Sequence, residues 1–133
     1  MGIRRVAFIT GASSGIGEAT ADRLTKEGWR VAITGRSEEE LREVQKKLEA
    51  AGHEVLYFVA DVQNESEMEK AYQGTLKEWG RLDTVFANAG VNGLWADIEN
   101  LSLEEWDKTL SINLRGTFLT IKLVYPHLKE NGG

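Results

Sequence analysis

Short apolar runs alternate with longer segments of helical periodicity along this chain. The first run, in "RRVAFIT", is followed by "EATADRLTKEG", where Ala21 and Leu24 lie at helical spacing before Gly28. Apolar runs in "RVAIT", "EVLYFVA" and "LDTVFAN" each precede another helical segment. Nearly continuous apolar strands are typical of sheets that are covered on both faces. The order therefore predicts an α/β fold of four βα units, with a parallel sheet between two layers of helices.

Two Ser-x-x-Glu boxes predict where helices begin. Ser37 with Glu40 opens the second helical segment, and Ser102 with Glu105 opens the last and longest one. Pro126, the only proline, lies late in that last segment. Because proline has no N–H to donate, we expect the last helix to kink or end there.

Bulk properties exclude several classes of protein. The chain has 133 residues, which fits a single domain, and no cysteine, which excludes disulfides and thiolate metal sites. No apolar run approaches the roughly 18 residues that would span a membrane, and the start carries no secretory cleavage pattern, so we predict a cytoplasmic protein. The net charge of −5 is spread along helices with mixed signs, which argues against nucleic-acid binding. We assign no metal to His53 or His127.

A glycine-rich turn, "TGASSGIG", separates the first strand from the first helix. Gly11 permits a sharp turn, Gly15 a close approach of backbone to a pyrophosphate, and Gly17 close packing of helix on strand. Free N–H groups at the helix start attract anionic oxygens, although an ordinary strand-to-helix turn is the alternative. The predicted cofactor-binding residues of this turn are Thr10, Gly11, Ser13, Ser14, Gly15, Ile16 and Gly17.

The turn in this setting resembles the cofactor turn of the short-chain dehydrogenase/reductase family, and the resemblance extends over the whole chain. Further motifs follow in the family's order: Asp61 and Val62 after the third strand, Asn88, Ala89 and Gly90 after the fourth, and Asn113 in "SINLRGTF". The resemblance implies adenine contacts for the first pair. It also implies a catalytic Asn113, which holds a proton-relaying water and bends its helix. Taken singly, Asp61 could instead cap a turn, and either asparagine could satisfy nearby backbone groups.

The resemblance implies a Rossmann-type, doubly wound sheet with strand order 3-2-1-4 and a nicotinamide cofactor at the switch between strands one and four. Gly35 stands where NAD-preferring members place an acid, and Arg36 after it can bind a 2′-phosphate, so we predict NADP. NAD stays the alternative, because Ser14 is not basic and Glu38 opens a negative cluster nearby.

The family transfers a hydride between the nicotinamide and a small carbonyl or alcohol substrate, using a serine and a Tyr-x-x-x-Lys pair. "YPHLK" has the right spacing, but Tyr125 follows Asn113 by twelve residues, about 18 Å along one helix, so both cannot meet one nicotinamide ring. No serine follows Asn113. We therefore expect residues 1–133 to bind the cofactor without turnover, as the N-terminal, cofactor-binding domain of a longer oxidoreductase.

The fourth strand would otherwise remain an unprotected edge, which also suggests that the protein continues beyond residue 133. The alternative is a complete, non-catalytic module that senses NADP or binds a partner. Family members commonly pair through their long helices, so a homo-oligomer is compatible with either reading.

Overall fold

Four short strands form one parallel sheet in the order β3-β2-β1-β4, as the sequence predicts. The computed structural model describes residues 2–133. The strands are β1 (Val6–Ile9), β2 (Arg30–Gly35), β3 (Val55–Val59) and β4 (Thr84–Phe86). Strand β1 pairs in parallel with β2 and with β4, and β2 pairs in parallel with β3. The direction of the strand order thus reverses at β1, and the crevice at such a switch lies at the carboxyl ends of the strands.

Helices cover both faces of the sheet. They are α1 (Gly15–Lys26), α2 (Glu38–Ala50), α3 (Glu65–Trp79), α4 (Leu103–Leu110) and α5 (Gly116–Asn131). Val6 and Phe8 point to one face, where they share a buried cluster with Met68 of α3. Ile9 points to the other face and packs in a second cluster with Leu41 of α2. Because alternate strand residues are buried on opposite faces, the strands read as continuous apolar runs.

Polar side chains cap three of the helices. The Oγ of Ser37 accepts a hydrogen bond from the Glu40 N–H at 3.4 Å, and the Oγ of Ser102 accepts one from the Glu105 N–H at 3.2 Å. Asn64 caps α3 in the same way. Both predicted serine caps are therefore confirmed, although within the described residues only the serine half of each box is formed.

The last helical segment is one continuous rod from α4 to α5, joined by a π-helical turn, Ser111–Arg115. Asn113 is at the centre of this turn. The helix is thus irregular at Asn113, the position at which the resemblance implies a bend. The irregularity takes the form of one widened turn, a feature often found at functional sites.

Of the two outcomes expected at Pro126, a kink or an end of the helix, the second is wrong. Helix α5 continues to Asn131, and Gly132 ends it with a φ of 75°. Tertiary contacts on both sides of the proline offset its missing N–H: Val124 is buried, and the Nε2 atom of His127 accepts a hydrogen bond from the Leu82 N–H at 3.2 Å. The sequence alone shows the missing donor but not these contacts.

No helix within residues 2–133 is both long and apolar enough to cross a membrane. The same part of the chain contains no group of three or more histidine, aspartate or glutamate side chains placed to hold a metal ion. The cytoplasmic location stays a prediction.

Candidate functional site

A cleft of about 410 Å³ opens at the carboxyl ends of the strands, where the strand order reverses. The glycine turn after β1, the end of β2, the turn after β3 and the loop after β4 meet around it. Ten of the predicted site residues line this cleft: Gly11, Ser13, Ser14, Ile16, Arg36, Asp61, Val62, Asn88, Ala89 and Gly90. Four predicted residues lie outside its lining: Thr10, Gly15, Gly17 and Asn113.

The glycine turn is too crowded for side chains at two of its positions. A Cβ atom on Gly11 would lie 2.8 Å from the Ala89 Cα atom, and the φ of Gly11 is 63°. A Cβ atom on Gly17 would lie 2.3 Å from the Gly11 carbonyl oxygen and 2.8 Å from Nδ2 of Asn88. Gly17 thus lets the first turn of α1 pack against the glycine turn and the β4 loop, where the motif predicts close packing on the strand.

Thr10 fastens the glycine turn to the loop after β4. Its buried Oγ1 accepts hydrogen bonds from the N–H groups of Asn88 and Ala89, each at 3.0 Å. The side-chain amide of Asn88 in turn donates to the carbonyl oxygens of Thr10 and Gly11, each at 3.2 Å. Thr10 is only 1% exposed and does not line the cleft, so it acts on the cleft by holding two of the lining segments together.

Arg36 is the cation of the cleft, and it takes part in none of the ion pairs formed within residues 2–133. The carboxylate of Glu38, nearby in sequence, accepts hydrogen bonds from Arg42 at 3.0 Å and from the Tyr57 hydroxyl at 3.2 Å. Part of the negative cluster after Arg36 is therefore engaged with α2 and β3. This engagement weakens the sequence argument against a bound phosphate at Arg36.

Asp61 both lines the cleft and holds the turn after β3. Its Oδ1 accepts hydrogen bonds from the Gln63 N–H at 2.9 Å and from Nε2 of Gln63 at 3.2 Å. The turn-capping role considered for Asp61 is thus present. It does not compete with a role in binding, because the same side chain stays in the cleft lining beside Val62.

The Asn113 amide clamps the loop after β4. Its Oδ1 accepts from the Val91 N–H, and its Nδ2 donates to the Val91 carbonyl oxygen, both at 2.8 Å. A Cβ atom on Gly90 would lie 3.3 Å from the same Oδ1. The π-helical turn thus presents Asn113 to the loop and not to the cleft itself, and satisfying a neighbouring backbone is the role that the geometry shows.

Five lining residues were not predicted: Thr34, Gly35, Ala60, Val91 and Ile112. Thr34 is fully buried, and its Oγ1 has no hydrogen-bond partner within the described residues. A buried hydroxyl without a partner costs about 1–3 kcal/mol unless a ligand or water supplies one. The sequence signal available was adjacency, since Thr34, Ala60, Val91 and Ile112 each lie next to or within two positions of a predicted site residue.

The residue types of the cleft fit a dinucleotide. An α-helix begins at Gly15, a Cβ atom on Gly15 would meet nothing within 4 Å, and the Thr34 hydroxyl in the cleft wall has no hydrogen-bond partner within the described residues. These features supply donors for anionic oxygens and room for backbone-to-ligand approach. The "YPHLK" pair does not join them: Tyr125 is 57% exposed on α5, and neither it nor Lys129 lines the cleft.

The fold and this cleft define a doubly wound domain of the dinucleotide-binding kind. A family model described as short chain dehydrogenase matches residues 5–133. The chain therefore belongs to the short-chain dehydrogenase/reductase family, as its motifs predict.

Characterised relatives are similar over nearly the whole chain. It is 39% identical over 132 residues to (2S)-[(R)-hydroxy(phenyl)methyl]succinyl-CoA dehydrogenase subunit BbsD of Thauera aromatica, covering 98% of this chain and 53% of that protein. It is 40% identical over 130 residues to levodione reductase of Leifsonia aquatica, covering 96% and 49%. The crystal structure of a 3-ketoacyl-ACP reductase from Sinorhizobium meliloti 1021 matches with a TM-score of 0.93 at 48% identity, covering 96% and 50%. The chain thus spans about half the length of the relatives it matches.

Several solved relatives contain a nicotinamide cofactor, and two of them illustrate its two forms. A 3-ketoacyl-(acyl-carrier-protein) reductase from Brucella melitensis, 33% identical with a TM-score of 0.90 over 98% of this chain and 53% of that one, is complexed with NADH. A metagenomic short-chain oxidoreductase, 33% identical with a TM-score of 0.89 over 96% and 57%, is in complex with NADP. Members with this fold therefore use either form of the cofactor.

Proposed function

We propose that residues 1–133 form the cofactor-binding part of an NADP-dependent oxidoreductase that interconverts a carbonyl compound and an alcohol. One observation carries the proposal: a single cleft brings together the glycine turn, Arg36, the Asp61–Val62 pair and the Asn88–Gly90 loop. These segments are far apart in the sequence and meet only at the carboxyl edge of the sheet.

In this proposal each segment binds one part of the dinucleotide. Backbone N–H groups at the start of α1 bind the pyrophosphate, and the hydroxyls of Ser13 and Ser14 add donors. Arg36 binds the 2′-phosphate with two parallel hydrogen bonds, which a planar guanidinium makes better than an ammonium does. Asp61 and Val62 line one side of the adenine site, and Asn88 to Gly90 form the opposite wall. The bound nicotinamide supplies or accepts the hydride.

The water-holding role of Asn113 belongs to the same proposal. Its amide already uses one donor and one acceptor on Val91. A carboxamide has a second N–H and a second lone pair, which are the groups left for a water. The clamp also sets the position of the loop, so Asn113 acts on the cleft through Val91 in any case.

The substrate-activating groups are proposed to lie outside residues 1–133. The family's serine and Tyr-x-x-x-Lys pair have no counterpart here at a position that reaches the cleft, and the chain spans about half of each relative's length. We therefore expect the purified 133-residue chain to bind cofactor and to reduce no carbonyl substrate. NADPH-dependent reduction of such a substrate by this chain would contradict this division.

The cofactor assignment is tested by titrating the chain with NADPH and with NADH and following nicotinamide fluorescence. We expect tighter binding of NADPH. Arg36→Ala should weaken NADPH about tenfold or more while leaving NADH within about twofold, because only NADPH carries the phosphate. Arg23→Ala, which removes an exposed guanidinium of α1 that pairs with Glu27, is the control. Tighter binding of NADH by the unmodified chain would exclude the NADP assignment.

A non-catalytic module is the second candidate, and one observation favours it. The outer face of α4 and α5 carries an apolar stripe whose side chains are each at least 39% exposed. The stripe consists of Leu103, Trp106, Leu110, Leu114, Phe118, Ile121 and Tyr125. Such a surface suits an interaction role. The intact mass of the protein isolated from its source separates the candidates: a mass equal to 133 residues favours the module, and a larger chain with a serine and Tyr-x-x-x-Lys favours the enzyme.

A further inference from the structure

A second cleft, of about 380 Å³, adjoins the first. The two share Arg36, Val91 and Ile112, so they are continuous across these three residues. The remaining walls of the second cleft come from the loop after β4 and from one face of α4. Arg36 thus borders both spaces.

The walls of the second cleft are held in place by two contacts. A Cβ atom on Gly93, whose φ is 73°, would lie 2.7 Å from Oγ1 of Thr109, so the loop packs directly on α4 at this point. Two residues earlier, Val91 donates its N–H to Oδ1 of Asn113 and accepts a hydrogen bond from Nδ2 of the same side chain. The loop is therefore fastened to the same helical rod at both ends of the cleft.

The second cleft contains two cations and one carboxylate: Arg36, Lys108 and Glu105. Lys108 lies one helical turn before Ile112, and Glu105 lies one turn before Lys108, so all three share one face of the rod. None of the three charged side chains belongs to an ion pair formed within residues 2–133. The cleft therefore holds a net positive charge that no group among residues 2–133 neutralises in an ion pair.

We propose that Lys108 is a second specificity-determining residue, which binds the 2′-phosphate of NADP together with Arg36. This inference rests on the proposed function and adds to it a residue of α4. A phosphate monoester carries close to two negative charges and three acceptor oxygens, and a guanidinium that binds two of them leaves the third. The Lys108 ammonium, on a flexible stem at the wall of the adjoining space, supplies the partner for that oxygen. Glu105 opposes the binding, because its carboxylate faces the same space.

The test compares equilibrium binding of NADPH and NADH to the 133-residue chain and its variants at low salt. Lys108→Gln should weaken NADPH about tenfold and leave NADH within about twofold, and Lys108→Arg should restore most of the NADPH affinity. Glu105→Gln should tighten NADPH about threefold and leave NADH unchanged, since it removes like charge from the phosphate site. Lys129→Gln, an exposed lysine near the end of the same rod, is the matched control.

The outcomes separate this inference from the function on which it rests. If Arg36→Ala weakens NADPH but Lys108→Gln does not, the cofactor assignment stands and the role of Lys108 is wrong. If Lys108→Gln weakens NADPH and NADH equally, Lys108 supports the fold or the adenosine site and the specificity role is also wrong. If the unmodified chain binds neither dinucleotide, the proposed function fails and this inference fails with it.

Discussion

Gly17 is the residue at which α1, the glycine turn and the loop after β4 come within contact distance. Gly17→Ala places a Cβ atom 2.3 Å from the Gly11 carbonyl oxygen, so backbone must move to accept one methyl group. We expect the free energy of unfolding to fall by about 3 kcal/mol, a typical cost of overpacking, and dinucleotide affinity to fall with it. Denaturant unfolding and a cofactor titration measure the two effects.

Gly15→Ala is the matched control for Gly17→Ala. A Cβ atom on Gly15 meets nothing within 4 Å, so only its φ of 57° opposes the side chain. The expected cost is about 1–2 kcal/mol from the left-handed backbone alone. Equal losses for the two variants would show that backbone conformation, and not the close contact at Gly17, controls the stability of this turn.

Asp83, which directly precedes β4, is hydrogen-bonded to the first residue of β1. Its Oδ2 accepts hydrogen bonds from Nε of Arg81 and from the Val6 N–H, each at 2.8 Å. The hydrogen bond from the Arg81 guanidinium is the largest cause that lowers the pKa of the Asp83 carboxyl below its ordinary value of 3.8, against a smaller opposing effect of burial.

A carboxyl group whose pKa is lower in the folded chain than in the unfolded chain stabilises the folded state at pH values above its unfolded pKa. This stabilisation is lost as the pH falls through the folded pKa. We therefore expect the free energy of unfolding to decrease below about pH 4, with a smaller decrease in Asp83→Asn and in Arg81→Gln. Urea unfolding at several pH values between 2 and 6 measures the slopes. A slope in either variant equal to that of the unmodified chain would contradict the assignment.

Helix α5 continues through Pro126 although proline disfavours the interior of a helix. Pro126→Ala restores the missing N–H and removes the clash with the preceding turn, so we expect the free energy of unfolding to rise by about 1–3 kcal/mol. Thermal and urea unfolding provide the measurement. Destabilisation by this change would mean that the proline is required for the position of His127 or Val124.

The elements themselves could largely be predicted, because each depends on local signals. The apolar runs predicted the strands, and the glycine turn predicted the connection between β1 and α1. Ser37 and Ser102 predicted where two helices begin. The continuation of α5 past Pro126 could not be predicted. It depends on the hydrogen bond from Leu82 to His127, and these residues are 45 positions apart in the sequence.

Some residues of the candidate site could be predicted from the sequence and others could not. Motif residues such as Arg36 and Asp61 were predicted from the family resemblance, because they stand where the family's motifs place cofactor contacts. Thr34 and Ile112 were missed because nothing in their residue types signals a ligand, and only the three-dimensional structure places them in the cleft wall. The position of Lys108 in the wall of the second cleft could not be predicted either, because its helix face becomes part of a cleft only when the β4 loop packs against it.

At the scale of the whole molecule, the apolar stripe of α4 and α5 is exposed over 23 residues, 103–125, or roughly 33 Å of helix. We expect the chain to self-associate through this stripe, because water contact with so much apolar surface is unfavourable. Phe118→Glu places a charge at its centre and should shift the mass in solution to that of the monomer.

Light scattering over a range of protein concentrations measures this mass. Ile3→Glu is the control, because Ile3 is equally apolar and 80% exposed but lies outside the stripe. A monomeric mass for the unmodified chain at every concentration would contradict self-association.

The fastening of Thr10 to Asn88, across 78 positions of sequence, also limits when the cleft can exist during folding. A partly folded chain that has formed only β1, α1 and β2 has the glycine turn but lacks its opposite wall. The cleft is completed only after β4 joins β1, which is a long-range and therefore slow pairing. A ligand of this cleft consequently recognises the finished sheet and no earlier intermediate, so it stabilises only fully folded chains and should raise their melting temperature as its concentration increases.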